Sequence, residues 1–258
     1  MMFDKDDIEL FLDRIGLYRS VRALYRAVYG RKGRQRRHRL RSFYSQFLSP
    51  GDLVFDIGAN VGEYAEVFVS LRTRVIAIEP NPECVPHIRR SCPAASVTIV
   101  AAAVGSRPGT GTLRIPKQSN LSSMSSEWVD LASRTDRFKG ISWEKTVEVP
   151  IVTIDSLCKT YGQPAFIKID TEGSEEEALK GMSHQPTLVS FEFNTEQLEL
   201  AYRCIRHPHI SSGSQFNYVL GEPEKLELDS WASKTEIESH LSTVQHMTRF
   251  GDILVKLV

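Results

Sequence analysis

The stretch Leu53 to Gly62, LVFDIGANVG, decides the fold of this chain. Its first half is an apolar run around Asp56, and its second half has a small or polar residue at every second position (Gly58, Asn60 and Gly62). This order predicts a buried parallel strand and a glycine turn, followed by a helix over Glu63–Leu71. Glycine lets the backbone approach a ligand closely, and the amides of a helix N-terminus face any polar group in the turn.

A second strand is predicted at Val75–Ile78, and it ends in Glu79, 23 positions after Asp56. An acid about twenty residues after a glycine turn suits the hydroxyls of a nucleoside ribose. A glycine turn alone also fits an ordinary strand-to-helix connection. The spacing to Glu79 is therefore what favours a nucleoside cofactor.

Length and composition indicate an ordinary globular protein with 258 residues, 41% of them hydrophobic and 25% charged. That is enough material for one sizeable α/β core. No run approaches the ~18 apolar residues of a membrane span, and the N-terminus lacks the apolar core of a signal peptide. We therefore expect cytoplasmic residence. The four scattered cysteines form no CxxC pair, so neither a zinc site nor a disulfide framework is predicted.

The formal net charge of zero conceals a segregation of charge. Residues 14–51 contain eleven Lys or Arg and no acid, whereas residues 52–258 carry 20 basic and 27 acidic residues. The basic run at 31–41 could bind phosphate, nucleic acid or an anionic membrane, or it could pair with the acidic remainder. We favour pairing, because no nucleic-acid motif accompanies the run. Nucleic acid is a disfavoured partner, while peripheral membrane contact through residues 31–41 and an oligomer contact through an amphipathic helix at 4–29 stay open.

Strands and helices alternate along the rest of the chain. Further strands are predicted at 96–100, 165–169, 187–193, 216–220 and 252–258. We divide the chain into an N-terminal helical, basic extension (1–48) and an α/β domain (49–258) that binds ligands at the carboxyl ends of its strands. Residues 105–150 are expected to form an irregular insertion near the site, with short strands at 111–115 and 147–151 and a serine-rich loop at 120–126.

Four motifs resemble the FkbM-type family of S-adenosylmethionine-dependent methyltransferases. They are DIGANVG at 56–62, EPNP at 79–82, VTID at 152–155 and KIDTEGSE at 168–175. The family mostly methylates hydroxyl groups of sugars and natural products. The resemblance implies a doubly wound, mostly parallel seven-stranded sheet of order 3-2-1-4-5-7-6 with helices on both faces. It also implies that the last strand is antiparallel.

The family pattern implies a role for each residue of the first two motifs. Residues of the glycine turn should line the methionine and ribose portions of S-adenosylmethionine (Asp56, Gly58, Asn60 and Gly62). Glu79 should accept hydrogen bonds from the ribose hydroxyls, because both carboxylate oxygens are acceptors. The position after the third strand, which often holds a polar side chain for adenine, contains Ala101–Ala103 here. Adenine contacts are therefore expected from the backbone or from the serine-rich loop.

Methyl transfer to a hydroxyl needs close approach of the acceptor and removal of its proton, so a carboxylate or histidine is expected within reach. Asp170 is the first candidate, Glu172 lies at the end of the same strand, and Glu192 ends the next one. Asp170 and Glu172 could instead cap a helix or bind the amino group of the cofactor. Lys168 stands in an apolar strand, which predicts an ion pair with one of these acids. No ligand spacing demands a metal, and none is assigned.

The predicted function is S-adenosylmethionine-dependent O-methylation of a hydroxyl on a saccharide, glycan or secondary metabolite. The alternatives are an RNA ribose methyltransferase that uses the basic arm, and a non-catalytic S-adenosylmethionine-binding module. An oxidoreductase with a nicotinamide cofactor is disfavoured, because Asn60 stands where GxGxxG needs glycine. Methylation of base amines is disfavoured as well, because residues 170–173 lack the Asn/Asp-Pro-Pro-aromatic motif.

Overall fold

The computed structural model describes residues 33–116, 121–135, 141–183, 186–211, 213–247 and 250–257. The strands are β1 (Leu53–Ile57), β2 (Arg74–Ile78), β3 (Val97–Val100), β4 (Ala103–Val104), β5 (Gly109–Ile115), β6 (Lys145–Val152), β7 (Phe166–Ile169), β8 (Leu188–Asn194), β9 (Gln215–Leu220) and β10 (Phe250–Lys256). The helices are α1 (33–44), α2 (Glu63–Ser70), α3 (Val85–Ser91), α4 (Ser126–Arg134), α5 (Ile154–Tyr161), α6 (Glu175–Lys180), α7 (Leu198–Ile205), α8 (Pro208–Ser211) and α9 (Lys234–Val244). A 3₁₀ turn at Thr195–Gln197 precedes α7.

The main sheet has seven strands in the order β3-β2-β1-β7-β8-β10-β9. Counted along the chain within this sheet, that is the expected order 3-2-1-4-5-7-6. All pairs from β3 to β8 are parallel, and β10 is antiparallel to both of its neighbours. The predicted fold class is confirmed. Because β1 has neighbours on both sides, the turn that follows it lies near the middle of the sheet.

Both faces of this sheet are covered, which is why β1 is buried at every position. Alternate residues point to opposite faces, so Phe55 joins one core and Val54 joins the other. The Phe55 side includes buried residues of α5, α6, α7 and α9. The Val54 side includes buried residues of α1, α2 and α3. No helix among the described residues combines the length and the apolar character needed to cross a membrane.

Helix α1 packs its aromatic side against the sheet. The ring of Tyr44 lies 4.9 Å from that of Phe68 and 5.7 Å from that of Phe166, measured between centroids. Its basic side pairs with acids of α2 and of the segment after β9: Arg36 with Glu63 and Glu222, Arg37 with Glu66, and Arg39 with Glu224. These ion pairs favour the pairing interpretation of the basic run. The predicted helix at 4–29 lies outside the described residues, and the membrane and oligomer contacts stay predictions.

The segment predicted to be irregular contains more regular structure than expected. Strand β6 pairs with β5 antiparallel and with β4 parallel, so the strands predicted at 111–115 and 147–151 belong to a second, three-stranded sheet. Helix α4, which begins inside the serine cluster, was not predicted. The Ser125 hydroxyl caps this helix by accepting the Trp128 amide at 3.1 Å, and Trp128 and Ala132 bury one side of it. In the sequence, the same serine cluster reads as a loop.

Candidate active site

A cleft opens at the carboxyl ends of β1, β2 and β7, with about 880 Å³ of empty space including the part that is open to solvent. One wall is polar and carries carboxylates from three turns of the sheet (Glu63, Glu79, Asp170 and Glu172). Apolar residues form another part of the lining, the apolar wall, which includes Ala102, Ala103, Val104, Leu113 and Met124. The mixture of apolar surface with a few polar groups is typical of a small-molecule site.

The glycine turn after β1 approaches the turn after β7 very closely. A Cβ atom built on Gly58 would lie only 1.7 Å from the carbonyl oxygen of Asp170, and the φ angle of Gly58 is +80°. Any larger residue at this position would force the two turns apart. Gly62, with φ +89°, is not among the cleft-lining residues, and a Cβ there would lie 3.2 Å from the Cα of Ile88. Contact between chain segments therefore accounts for both glycines.

Glu79 lies at the base of the cleft and is almost fully buried. One of its carboxylate oxygens accepts the backbone amide of Asn60 and the other that of Asn81, both at 2.7 Å. Burial raises the pKa of Glu79 to about 7, although the two amide hydrogen bonds oppose this shift. Each oxygen still has a lone pair to offer, so the carboxylate can accept two further hydrogen bonds from the cleft.

The buried cation of Lys168 forms an ion pair with a carboxylate of the polar wall. Lys168 lies beside Asp56 in the β1–β7 register, and its Nζ is 2.7 Å from Asp170 Oδ2 and 4.3 Å from the centroid of the Tyr64 ring. Burial disfavours the charged form of Lys168, but Asp170 and Asp252 outweigh it and hold the Lys168 pKa well above its usual value. The ion pair predicted for Lys168 is thus present, and its partner is Asp170.

Asp56 lies beneath the cleft rather than in its wall. Its side chain is buried, and its Oδ2 atom has no hydrogen-bond partner in the part of the chain that the structure describes. Burial raises the pKa of Asp56 to about 7, against the opposing effect of Lys168. Of the five residues expected at the cofactor, three line the cleft (Gly58, Asn60 and Glu79), while Asp56 and Gly62 stand behind it.

The structure brings the three candidate catalytic acids together. Oxygen atoms of Asp170, Glu172 and Glu192 lie within 4.8 Å of one another. Burial, followed by the negative charges of Asp170 and Glu172, raises the pKa of Glu192 well above that of an ordinary carboxyl group. Such a cluster can share a proton. Glu172 also has a φ angle of +53°, an uncommon backbone conformation for a residue with a side chain.

Part of the cleft lining was not predicted from the sequence. Leu113 comes from β5, and Ser122 and Met124 come from the serine-rich segment, so the second sheet contributes to the cleft. Ser122 Oγ accepts a hydrogen bond of 2.9 Å from the Asn81 side chain, which ties this segment to the loop after β2. The serine cluster was the available signal, and it predicted a loop near the site without selecting these residues.

Comparisons of the sequence with known proteins identify a family and a relative. The profile of the methyltransferase FkbM domain matches residues 56–239. The hexuronic acid methyltransferase AglP of Haloferax volcanii is 27% identical over 142 residues, which is 54% of this chain and 54% of that protein; the chain thus matches about half the length of this curated relative.

Solved structures give more distant likenesses. One is precorrin-6Y C5,15-methyltransferase from Geobacter metallireducens, with a TM-score of 0.45, 12% identity and coverage of 86% of this chain and 87% of that one. Another is a TehB-like SAM-dependent methyltransferase from Corynebacterium glutamicum, with a TM-score of 0.44, 9% identity and coverage of 92% and 100%.

Proposed function

The chain belongs to the FkbM methyltransferase family, and we propose that it is an S-adenosylmethionine-dependent O-methyltransferase that acts on a hydroxyl group of a saccharide, glycan or related natural product. The observation that carries this proposal is the Asp170 carboxylate, which lines the cleft and is held by the buried Lys168. This arrangement offers an oriented anionic acceptor for the proton of a hydroxyl group.

The residues that line the cleft fit S-adenosylmethionine. Glu79 has two lone pairs left for the ribose hydroxyls, and the apolar wall that includes Ala102 and Met124 suits the flat adenine ring. The carboxylates of the polar wall favour the positively charged sulfonium group of this cofactor. When bound, S-adenosylmethionine supplies an electrophilic methyl group on a positively charged sulfur atom. Asp56 and Gly62 would act from behind the wall, by supporting the turn that carries Gly58 and Asn60.

Asp170 suits the role of base better than Glu192 does. Asp170 lines the cleft, and its ion pair with Lys168, at 2.7 Å, holds the carboxylate in place. Glu192 is not among the residues that line the cleft, and burial together with the neighbouring acids raises its pKa well above the ordinary value, which disfavours its anionic form. We assign proton removal from the acceptor oxygen to Asp170. Glu172, which lines the cleft, would orient the acceptor by a hydrogen bond, and Glu192, which does not line the cleft, would support the acidic cluster.

The acidic wall also bears on which oxygen is methylated. The name of the relative from Haloferax volcanii specifies a hexuronic acid, which offers both hydroxyl groups and a carboxylate. The carboxylates of Asp170 and Glu172 would repel a substrate carboxylate placed at this cluster, whereas a neutral hydroxyl can donate a hydrogen bond to them. We therefore assign the reaction to a hydroxyl, with a methyl ether as the product.

The test is transfer of an isotopically labelled methyl group from S-adenosylmethionine to a panel of neutral saccharides and their hexuronic acid counterparts. Products are then treated with mild alkali, which hydrolyses methyl esters and leaves methyl ethers intact. The proposal predicts alkali-stable label on a saccharide. Alkali-labile label would show carboxyl methylation, and cofactor binding without label on any acceptor would favour a non-catalytic binding module.

The backbone of Glu172 yields a separate prediction. Replacing Glu172 by glycine removes a left-handed residue with a side chain, so we expect the variant to gain about 1 kcal/mol in unfolding free energy. If the carboxylate orients the acceptor, methyl transfer should fall at least about tenfold in the same variant. Chemical denaturation and the labelled-methyl assay measure the two effects.

Arg72→Gly is the matched control for this variant. Arg72 also has a left-handed backbone, with φ +65°, but it is exposed and does not line the cleft. The Arg72→Gly variant should gain a similar unfolding free energy and keep the full rate of methyl transfer. Full activity in Glu172→Gly would contradict the role assigned to the Glu172 side chain.

A further inference from the structure

Two adjacent serines, Ser122 and Ser123, contact two different segments that contribute to the cleft. Ser122 Oγ accepts a hydrogen bond of 2.9 Å from the side chain of Asn81, and the backbone amide of Asn81 donates to Glu79 at 2.7 Å. Ser123 Oγ instead donates to the carbonyl oxygen of Glu172 at 2.7 Å. One serine therefore contacts the loop that carries the proposed ribose ligand, and the next contacts the turn that carries the proposed catalytic acids.

Burial and backbone hydrogen bonds hold Ser123 in place, so that its hydroxyl can fix the position of the Glu172 carbonyl. It is fully buried, and its backbone exchanges two hydrogen bonds with Arg114 of β5, at 2.9 and 3.0 Å. Its hydroxyl oxygen accepts the Ser125 amide at 2.9 Å, and of the two carbonyl oxygens within reach of the hydroxyl hydrogen, that of Glu172 at 2.7 Å is closer than that of Ser125 at 3.4 Å. The position of this hydroxyl is thus set by the second sheet and by the start of α4.

The turn that Ser123 contacts needs such support. Glu172 has a left-handed backbone, and a residue with a side chain keeps this conformation only when its surroundings impose it. A second contact comes from Trp128, which packs so closely on the turn that a Cβ on Gly173 would lie 2.5 Å from the Trp128 Cβ. The segment from Ser123 to Trp128 therefore covers the Glu172–Gly173 turn from outside the main sheet.

We propose that Ser123 is a positioning residue for methyl transfer: its hydroxyl holds the Glu172 turn in the geometry that presents the acids to the acceptor. Ser122 has the corresponding role for the cofactor loop. The effect on catalysis rests on the proposed function, whereas the effect on the turn does not.

The experiment compares Ser123→Ala with the neighbouring Ser122→Ala in the full chain. Three quantities are measured: the dissociation constant of S-adenosylmethionine by calorimetry, hydrogen–deuterium exchange of a peptide spanning 170–174, and the kcat of methyl transfer. For Ser123→Ala we expect faster exchange at 170–174, a kcat about tenfold lower, and a dissociation constant within about twofold of the wild type. For Ser122→Ala we expect the dissociation constant to rise several-fold while exchange at 170–174 is unchanged.

A near-isosteric variant separates positioning from a general loss of folding. Ser123→Cys keeps the volume but has a weaker donor, so its kcat and its exchange at 170–174 should lie between those of the wild type and Ser123→Ala. Wild-type exchange and kcat in Ser123→Ala would overturn the inference, as would equal losses of kcat and cofactor affinity in both alanine variants. If the wild type methylates no acceptor, the proposed function fails, and the exchange measurements still decide the role of Ser123.

Discussion

Asp170→Asn should lower the kcat of methyl transfer by at least about 100-fold, the usual contribution of a positioned general base. Asparagine keeps the shape of the side chain and can still accept a hydrogen bond from Lys168, but it cannot take a proton from the acceptor. The dissociation constant of S-adenosylmethionine should stay within a few-fold of the wild-type value. Labelled-methyl transfer and calorimetric titration of the same preparation measure the two quantities.

Glu192→Gln is the matched control, because it makes the same change of carboxyl to amide in the same acidic cluster. Because burial and the neighbouring acids raise the pKa of Glu192 and favour its protonated form, glutamine imitates that form. We expect its kcat to stay within about tenfold of the wild type. The assignment of the base would be wrong if Glu192→Gln lost activity and Asp170→Asn kept it.

Lys168→Met should lower the free energy of unfolding by about 3–5 kcal/mol, the usual cost of removing one partner from a buried ion pair. Methionine fills a similar volume, so the loss reflects charge more than packing. Asp170 would lose its cation, and Asp56 and Asp252 would be left as buried acids without one nearby. Chemical denaturation at fixed pH measures this difference.

The deficit of Lys168→Met should grow between pH 6 and pH 8. Burial already raises the pKa of Asp56 to about 7 and that of Asp252 to about 6, so the folded state binds more protons than an unfolded chain, whose aspartates titrate near 3.9. In the wild type, stability from these groups therefore falls as pH rises from about 3.9 to about 6 for Asp252 and to about 7 for Asp56. Without Lys168 both pKa values rise further, which extends the loss to higher pH.

Lys145→Met serves as the control for this variant. Lys145 pairs with Glu83, and both side chains are more than half exposed. Surface pairs of this kind contribute about 0–1 kcal/mol, so the control should lose little stability. Equal losses in the two variants, or a Lys168→Met deficit that does not change with pH, would contradict the account of the buried cluster.

Local patterns were sufficient to predict the strands of the main sheet and the edge at which the site lies, whereas the order of the strands was implied by the resemblance to the FkbM-type family. The glycine turn, the acid at 79 and the motif at 168–175 each follow a buried strand, and residues at strand ends meet at one edge of a parallel sheet. The meeting of Asp170 with Lys168 could be anticipated for the same reason, because a lysine in an apolar strand needs a nearby anion.

Other features depend on contacts between distant segments, which local patterns do not encode. The requirement for glycine at position 58 comes from the carbonyl of Asp170, more than one hundred positions along the chain. Helix α4 begins within a serine cluster that is locally typical of a loop, and its stability comes from the burial of Trp128 and Ala132. The contribution of Leu113 and Ser122 to the cleft likewise follows from the second sheet.

The most direct test of the cofactor assignment is a calorimetric titration of S-adenosylmethionine into the wild type and Glu79→Ala. Glu79 would lose its hydrogen bonds to the ribose and also its support of the Asn60 and Asn81 amides, so affinity should fall at least about 100-fold. Glu83→Ala, which changes an exposed acid nearby, should bind like the wild type. Binding by the wild type and Glu83→Ala that collapses in Glu79→Ala is the predicted result. Equal affinity in all three proteins, or no binding by the wild type, would contradict the account.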